Sequence, residues 1–171
     1  MILLYKKRLT AIGSKGMTLI EVLLVMGLMS IFLVMLTGIF TAALDVRSQS
    51  QSSATVVQDG RFILARLAYD INHATAVTTP GSLGVSGPSL VMTVGGSTYT
   101  YALSGTDLKL TDATGTESLN GGDTTVSNLS FIKYGNAGGD ETVKIAFTVT
   151  SKIIHAGAAD SQTFSTTVGL R

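Results

Sequence analysis

From Val22 to Leu44 the chain carries no Asp, Glu, Lys, Arg or His. At about 1.5 Å of rise per helical residue, a run of that length covers the roughly 30 Å hydrocarbon core of a bilayer. It predicts one helix able to span a membrane. The next segment, Asp45 to about Ala76, changes character with no proline to stop the helix. Within it Val56, Ile63, Leu67, Ile71 and Ala74 recur at spacings of seven, four, four and three, one apolar stripe on a 3.6-residue repeat. This amphipathic half is expected to lie against a core. Arg66 and Asp70 stand at i and i+4 on another face, where a weak exposed ion pair is expected.

From Thr78 the composition turns to Thr, Ser, Gly and β-branched residues, and Pro80 and Pro88 bracket a loop, TPGSLGVSGP. The short alternating runs LVMTV at Leu90, STYTYAL at Ser97 and DLKL at Asp107 are separated by Gly95-Gly96 and by Ser104-Gly105-Thr106, and read as a meander of hairpins. After a Gly-rich connection containing Asn120-Gly121-Gly122 come VSNLSFIKY, ETVKIAFTVTSKII and QTFSTTVGLR. Val143, Ile145, Phe147 and Val149 alternate with Lys144, Ala146, Thr148 and Thr150, so one face is expected to be buried and the other wet. The fold class is α+β: a long N-terminal helix, half membrane-spanning and half amphipathic, packed on an antiparallel β-sheet.

At 171 residues and 17.8 kDa there is room for one globular unit plus attachments. The 45% hydrophobic content, 13% charged content and mean hydropathy of +0.41 are accounted for by the apolar run. The net charge of +1 hides an asymmetry, because Lys6, Lys7, Arg8 and Lys15 precede that run with no acid among them. A basic leader stays cytoplasmic, which places the C-terminal bulk outside. There is no cysteine, so disulfides, zinc-thiolate sites and thiol nucleophiles are excluded.

The junction reads Lys15-Gly16-Met17-Thr18-Leu19-Ile20-Glu21-Val22-Leu23-Leu24. With its basic leader, its Gly, the fixed offset to Glu and the uninterrupted apolar span, it resembles the type IV pilin and type II secretion pseudopilin families. The resemblance implies a prepilin-type cleavage/methylation site: a prepilin peptidase cuts between Gly16 and Met17 and methylates the new amino terminus of Met17. Thr18, Leu19 and Ile20 belong to the recognition motif. Met17 departs from the Phe with which mature members more often begin. The divisions implied are a leader over 1–16, a membrane and filament-core helix over 17–44, the amphipathic half over 45–76, and a β-rich head over 77–171.

Glu21 is unusual on physical grounds as well. A carboxylate four residues into a membrane helix is costly to bury unpaired, and intramembrane ionisable groups are functional candidates by default. Cleavage would supply a partner, the α-amino group of Met17, on the same chain or on a neighbour. The resemblance implies the neighbour, with Glu21 setting the axial register of a filament whose core is the apolar helix. A repeated contact of this head-to-tail kind generates an open filament. Gly27, Ser30, Gly38 and Ala42 would let helices approach closely. Gly38 stands where many major pilins have a proline, and local melting there on extraction from the membrane is a hypothesis.

A plain signal anchor needs only basic residues and an apolar span, and explains neither Gly16 nor Glu21. His73 and His155 have no companion ligands at metal spacing. No GxSxG, Walker A, GxGxxG or HExxH motif occurs, so no catalytic residue and no cofactor is expected. Asp140-Glu141 reads as a hairpin turn, with too few acids for calcium. Asn128-Leu129-Ser130 matches a glycosylation sequon inside an expected strand. No basic cluster with interleaved aromatics points to nucleic acid.

Beyond the junction, ARLAYDINHATAV, STYTYALSGTDLKL, SNLSFIKY and FSTTVGLR are similar to the minor pilins and minor pseudopilins of the PilW and J-type class. This similarity implies a subunit that initiates or caps a type IV pilus or type II secretion pseudopilus. Its partners would be the prepilin peptidase, other pilin or pseudopilin subunits, the inner-membrane assembly platform and, before assembly, membrane lipid. A major pilin and a non-polymerising anchored adhesion domain are the competing expectations.

Overall fold

The computed structural model describes residues 16–135, 139, 141–155 and 158–171, the side chain of His155 excepted. The leader before Gly16, and Asp140, lie outside the described residues. Packing divides the chain between Leu44 and Asp45 into two compact units.

The first element is α1, Leu19–Asn72, 54 residues long. Thr18 caps it: the Glu21 amide donates to Thr18 Oγ1 at 3.3 Å, and the Val22 amide makes the first helical bond to the Thr18 carbonyl at 3.1 Å. Thr18-x-x-Glu21 therefore has the spacing of a capping box. The apolar run up to Leu44 packs against nothing within its unit, and its large side chains are exposed apart from the half-buried Val22. By length and composition it is able to cross a membrane. The three hydroxyl side chains in this run all bond to helix carbonyls: Ser30 to Met26, Thr37 to Leu33 and Thr41 to Gly38, at 2.8 to 3.0 Å. Such bonding leaves the surface of the span apolar. The helix continues unbroken through Gly38.

In the second unit the expected stripe is buried: Val56, Ile63, Leu67 and Ile71 face a core, joined by Ser52, Gly60 and Asp70. The helix ends at Asn72, short of the expected Ala76. Its last turn is closed by the His73 amide, shared between the Tyr69 and Asp70 carbonyls at 3.2 Å. The residues that follow, ATAVTT, are largely β-branched and form β1, Ala74–Thr79, which pairs with a later strand; cross-strand bonding overrides the helical periodicity there. Ala74 is buried, as the stripe anticipated, but from a strand.

The sequence reading expected one sheet. The structure has two, both antiparallel. The first, in the order β1-β3-β4-β5-β6, adds β3 (Ser89–Val94), β4 (Ser97–Ser104), β5 (Asp107–Asp112) and β6 (Gly115–Ser118) to β1. The expected β3–β4–β5 meander is present, with Gly95, Gly96 and Gly105 at positive φ in its turns. The second, in the order β2-β7-β8-β9, holds β2 (Ser86–Gly87), β7 (Thr124–Tyr134), β8 (Thr142–His155) and β9 (Ala158–Gly169). Thus β2 lies inside the expected Pro80–Pro88 loop, and its two residues pair with Ile132 and Phe131. The alternation in β8 is as expected, Val143, Ile145, Phe147 and Val149 being fully buried.

Polar side chains join the two sheets. Asn120 accepts the Leu108 amide at 2.9 Å and donates to Asp107 and to the Thr124 carbonyl, so β5 and β7 share one buried amide. Lys133 on β7 is buried; its ammonium donates to the Val77 carbonyl of β1 at 3.3 Å and pairs with Glu141 at 3.0 Å. Both arrangements meet the requirement that a buried polar group find partners.

Candidate functional site

The junction lies at the start of α1. Gly16, Met17 and Thr18 precede the helix and are exposed, with open space around the Gly16 Cα, so this stretch is sterically accessible. Leu19 and Ile20 open the helix and are also exposed, at 79% and 74%. Glu21 occupies the first turn, where the helix dipole favours an anion. Its amide is engaged by Thr18, while its carboxylate has no partner among the described residues. It is the sole ionisable side chain between Met17 and Leu44. The positions singled out by sequence therefore fall together on the cap and first turn of one helix, ahead of an unpacked apolar surface.

Gly27 and Gly38 have open space where a Cβ would stand, so no packing within the chain requires glycine there. A shallow apolar groove of about 480 Å³ runs between Leu36, Thr37, Ile39, Phe40 and Ala43. Formed by a single helix, it is a surface between side chains and not an enclosed ligand pocket.

Among the remaining candidates, His73, Glu141 and Asn128 make contacts within the fold. His73 Nδ1 lies 2.7 Å from the Tyr69 carbonyl, and its ring packs on Tyr69 at 4.3 Å between centroids. His155 ends β8, and its side chain is outside the described residues. Glu141 is paired with Lys133, and no group of three or more His, Cys, Asp or Glu is placed to hold a metal among the described residues. Asn128, the first residue of the sequon, stands at φ 52° where β7 slips register against β8, a backbone that Asn tolerates.

Comparison of the chain with protein-family models, with curated proteins and with solved structures finds no match.

Sequence reasoning missed the polar contacts that hold the amphipathic half of α1 to the sheets. Asp59 accepts the Gly121 amide at 2.9 Å and the Thr124 hydroxyl at 2.5 Å. Ser53 donates to Asp160 on β9 at 3.0 Å. Asp70, expected in an exposed pair, is buried; Arg66 Nε reaches its Oδ2 at 2.9 Å and the Tyr101 hydroxyl donates to the same oxygen. Desolvation, and then the Asp70 contact, raise the Tyr101 hydroxyl well above its ordinary pKa. Acidic residues in a helix otherwise facing the core were the available signal, since a carboxylate beside the stripe needs a partner from the sheet.

Proposed function

We propose that this chain is a prepilin-type precursor, cut between Gly16 and Met17, whose mature form enters a type IV pilus or type II secretion pseudopilus as a minor, initiating or capping subunit. The observation that carries the reading is the unpacked apolar helix that opens just after Gly16 with one ionisable group, Glu21, unpartnered in its first turn.

An apolar surface of this length is stable in lipid or against other helices, and not in water. In the proposed cycle lipid covers it first and neighbouring subunits later. Removing residues 1–16 leaves an α-amino group on Met17, four residues ahead of Glu21. A cation supplied by a neighbour in the filament core would offset the desolvation of the Glu21 carboxylate only at one axial register. The helix thereby provides adhesion between subunits, and the single charge pair provides their stagger. The β-rich unit, with two sheets and many exposed Ser and Thr side chains, supplies the outward surface that contacts other subunits of the tip.

The test is intact-mass spectrometry of the chain expressed with an active prepilin peptidase. The expected product starts at Met17 and carries one added methyl group; an intact leader under those conditions would overturn the reading.

A further inference from the structure

We infer that the free edge of β9 is where a second copy of this chain pairs, strand against strand and antiparallel.

β9 closes one side of the second sheet. It bonds to β8 along one edge, and no strand lies along the other among the described residues. The alternate backbone amides and carbonyls of such an edge are a template for another strand, and proteins that stay apart blunt their edges with short strands, charges, prolines or bulges. The other three sheet edges are blunted in this way. β2 is two residues long, and β6 is four residues long with Glu117 exposed in it. β1 slips register twice against β3, and its Val77 carbonyl is taken by the Lys133 ammonium.

Residues 161–168 of β9, SQTFSTTV, have none of these devices. Their pairing with β8 is unbroken from Ser161 to Gly169, so this stretch is a regular edge about 27 Å long at 3.4 Å per residue. It holds no charge, no proline and no glycine. Ser161, Thr163, Ser165 and Thr167 alternate along its outer face and are exposed. On the inner face Phe164 and Val168 each keep 8% of their surface open, while Phe147 and Val143, opposite them on β8, keep none. That residual apolar surface is what one more strand would cover. A shallow depression of about 100 Å³ beside the edge, between Val56 and Val57 of α1 and Ser161 and Gln162 of β9, has room for a small side chain of the added strand.

The charges around the stretch select a second copy in antiparallel order. Asp160 precedes it, Arg171 follows it, and Lys144 stands one strand in, opposite Thr167. Lys152 on β8 is accompanied by Asp123, whose carbonyl accepts its amide at 2.8 Å, and Glu141 is paired with Lys133, so these charges offset one another. Antiparallel pairing about a twofold axis turns the Asp160 end of one copy towards the Lys144 and Arg171 end of the other, and sets no like charges across the seam. Parallel pairing would set Asp160 beside Asp160 and Arg171 beside Arg171. Main-chain bonds then supply adhesion, and the opposed hydroxyl and apolar side chains supply register.

The absence of cysteine makes the test direct, because introduced cysteines are unique. The full chain in detergent is prepared as Ser161→Cys, Thr163→Cys, Ser165→Cys and Thr167→Cys, and the four are oxidised mildly, alone and in every mixture. A disulfide forms where the two Cα atoms come within about 7 Å. The expected result is cross-linked dimer for those combinations whose two residue numbers add to one constant, the signature of antiparallel register, with loss of cross-linking in the rest. Combinations sharing a constant difference would show parallel strands and overturn the inference. Cross-linking in all combinations alike, as association through the apolar helix would give, or in none, also overturns it. In the unmodified chain, amide hydrogen exchange over residues 161–168 should slow as protein concentration rises; rates independent of concentration would likewise overturn the inference.

Discussion

The hydroxyl of Tyr101 on β4 donates to the buried carboxylate of Asp70 on α1, fastening the last turns of the helix to the first sheet. Arg66 holds the same oxygen from the solvent side, so one carboxylate serves both the helix surface and the core. The contact is a hydrogen bond to a charged acceptor without exposure to water, conditions under which such bonds count most.

Alkaline pH should weaken this unit through Tyr101. Its folded pKa is raised, so the stabilisation is complete below the unfolded value of about 10 and is lost as pH climbs from there towards the folded value. Tyr101→Phe should lower stability near neutrality by about 1–3 kcal/mol. It should also flatten the decline above about pH 10. Thermal melts of the full chain in detergent, compared between the two proteins across that range, measure both effects. Equal slopes would remove Tyr101 as the cause.

Gly60 lies directly against the Phe164 ring of β9. A Cβ built there would fall 2.2 Å from the Phe164 ring, and that ring is backed by Phe147 at 5.6 Å between centroids. Gly60→Ala raises helix propensity by about 1 kcal/mol, but the ring has little room to retreat, and overpacking costs about 1–3 kcal/mol. Net destabilisation is expected, and Gly60→Ala combined with Phe164→Leu should recover part of it in a double-mutant cycle. A stabilised single variant would show that the sheet yields more easily than this geometry implies.

Ser52 shows the opposite imbalance. It is buried, and its hydroxyl has no hydrogen-bond partner among the described residues. Ser52→Ala removes an unsatisfied group and favours the helix, so stability should rise by about 1 kcal/mol, read as a higher melting midpoint. A lower midpoint would reveal a partner for the hydroxyl.

Legibility from sequence followed the range of the interaction. The apolar run and the stripe Val56–Ile63–Leu67–Ile71 depend on local periodicity, and β8 on strict alternation; each was readable. Asp70 was not, because its burial depends on Tyr101, 31 residues away, while the local signal was an ordinary i,i+4 pair with Arg66. The helix end was missed by a few residues because ATAVTT continues the apolar spacing and only its pairing with β3 makes it a strand. One sheet was expected where there are two, since local hairpins do not reveal that β2 pairs across to β7. At the junction, Gly16 and Glu21 were conspicuous because each breaks its surroundings, but Thr18 as the cap of α1 emerged from the Glu21 amide bond alone.

That cap sharpens the test of Glu21, which stands in a capping-box position as well as in the first turn of a helix able, by length and composition, to cross a membrane. If its role were only to start the helix, Glu21→Gln would be nearly silent, since Gln also serves at the third position of a capping box. If its role is to meet a neighbour's amine, the same substitution removes the charge and should reduce incorporation into sheared filaments about tenfold or more, in line with roughly 2–5 kcal/mol for disrupting a buried charge pair. Cleavage after Gly16 should proceed in both cases, read by the mass of the membrane-bound chain. Immunoblots of sheared and cell-bound fractions, normalised to processed protein, separate the two roles: Glu21→Gln filaments at full yield would assign Glu21 to the cap, and their loss with normal processing would assign it to subunit register.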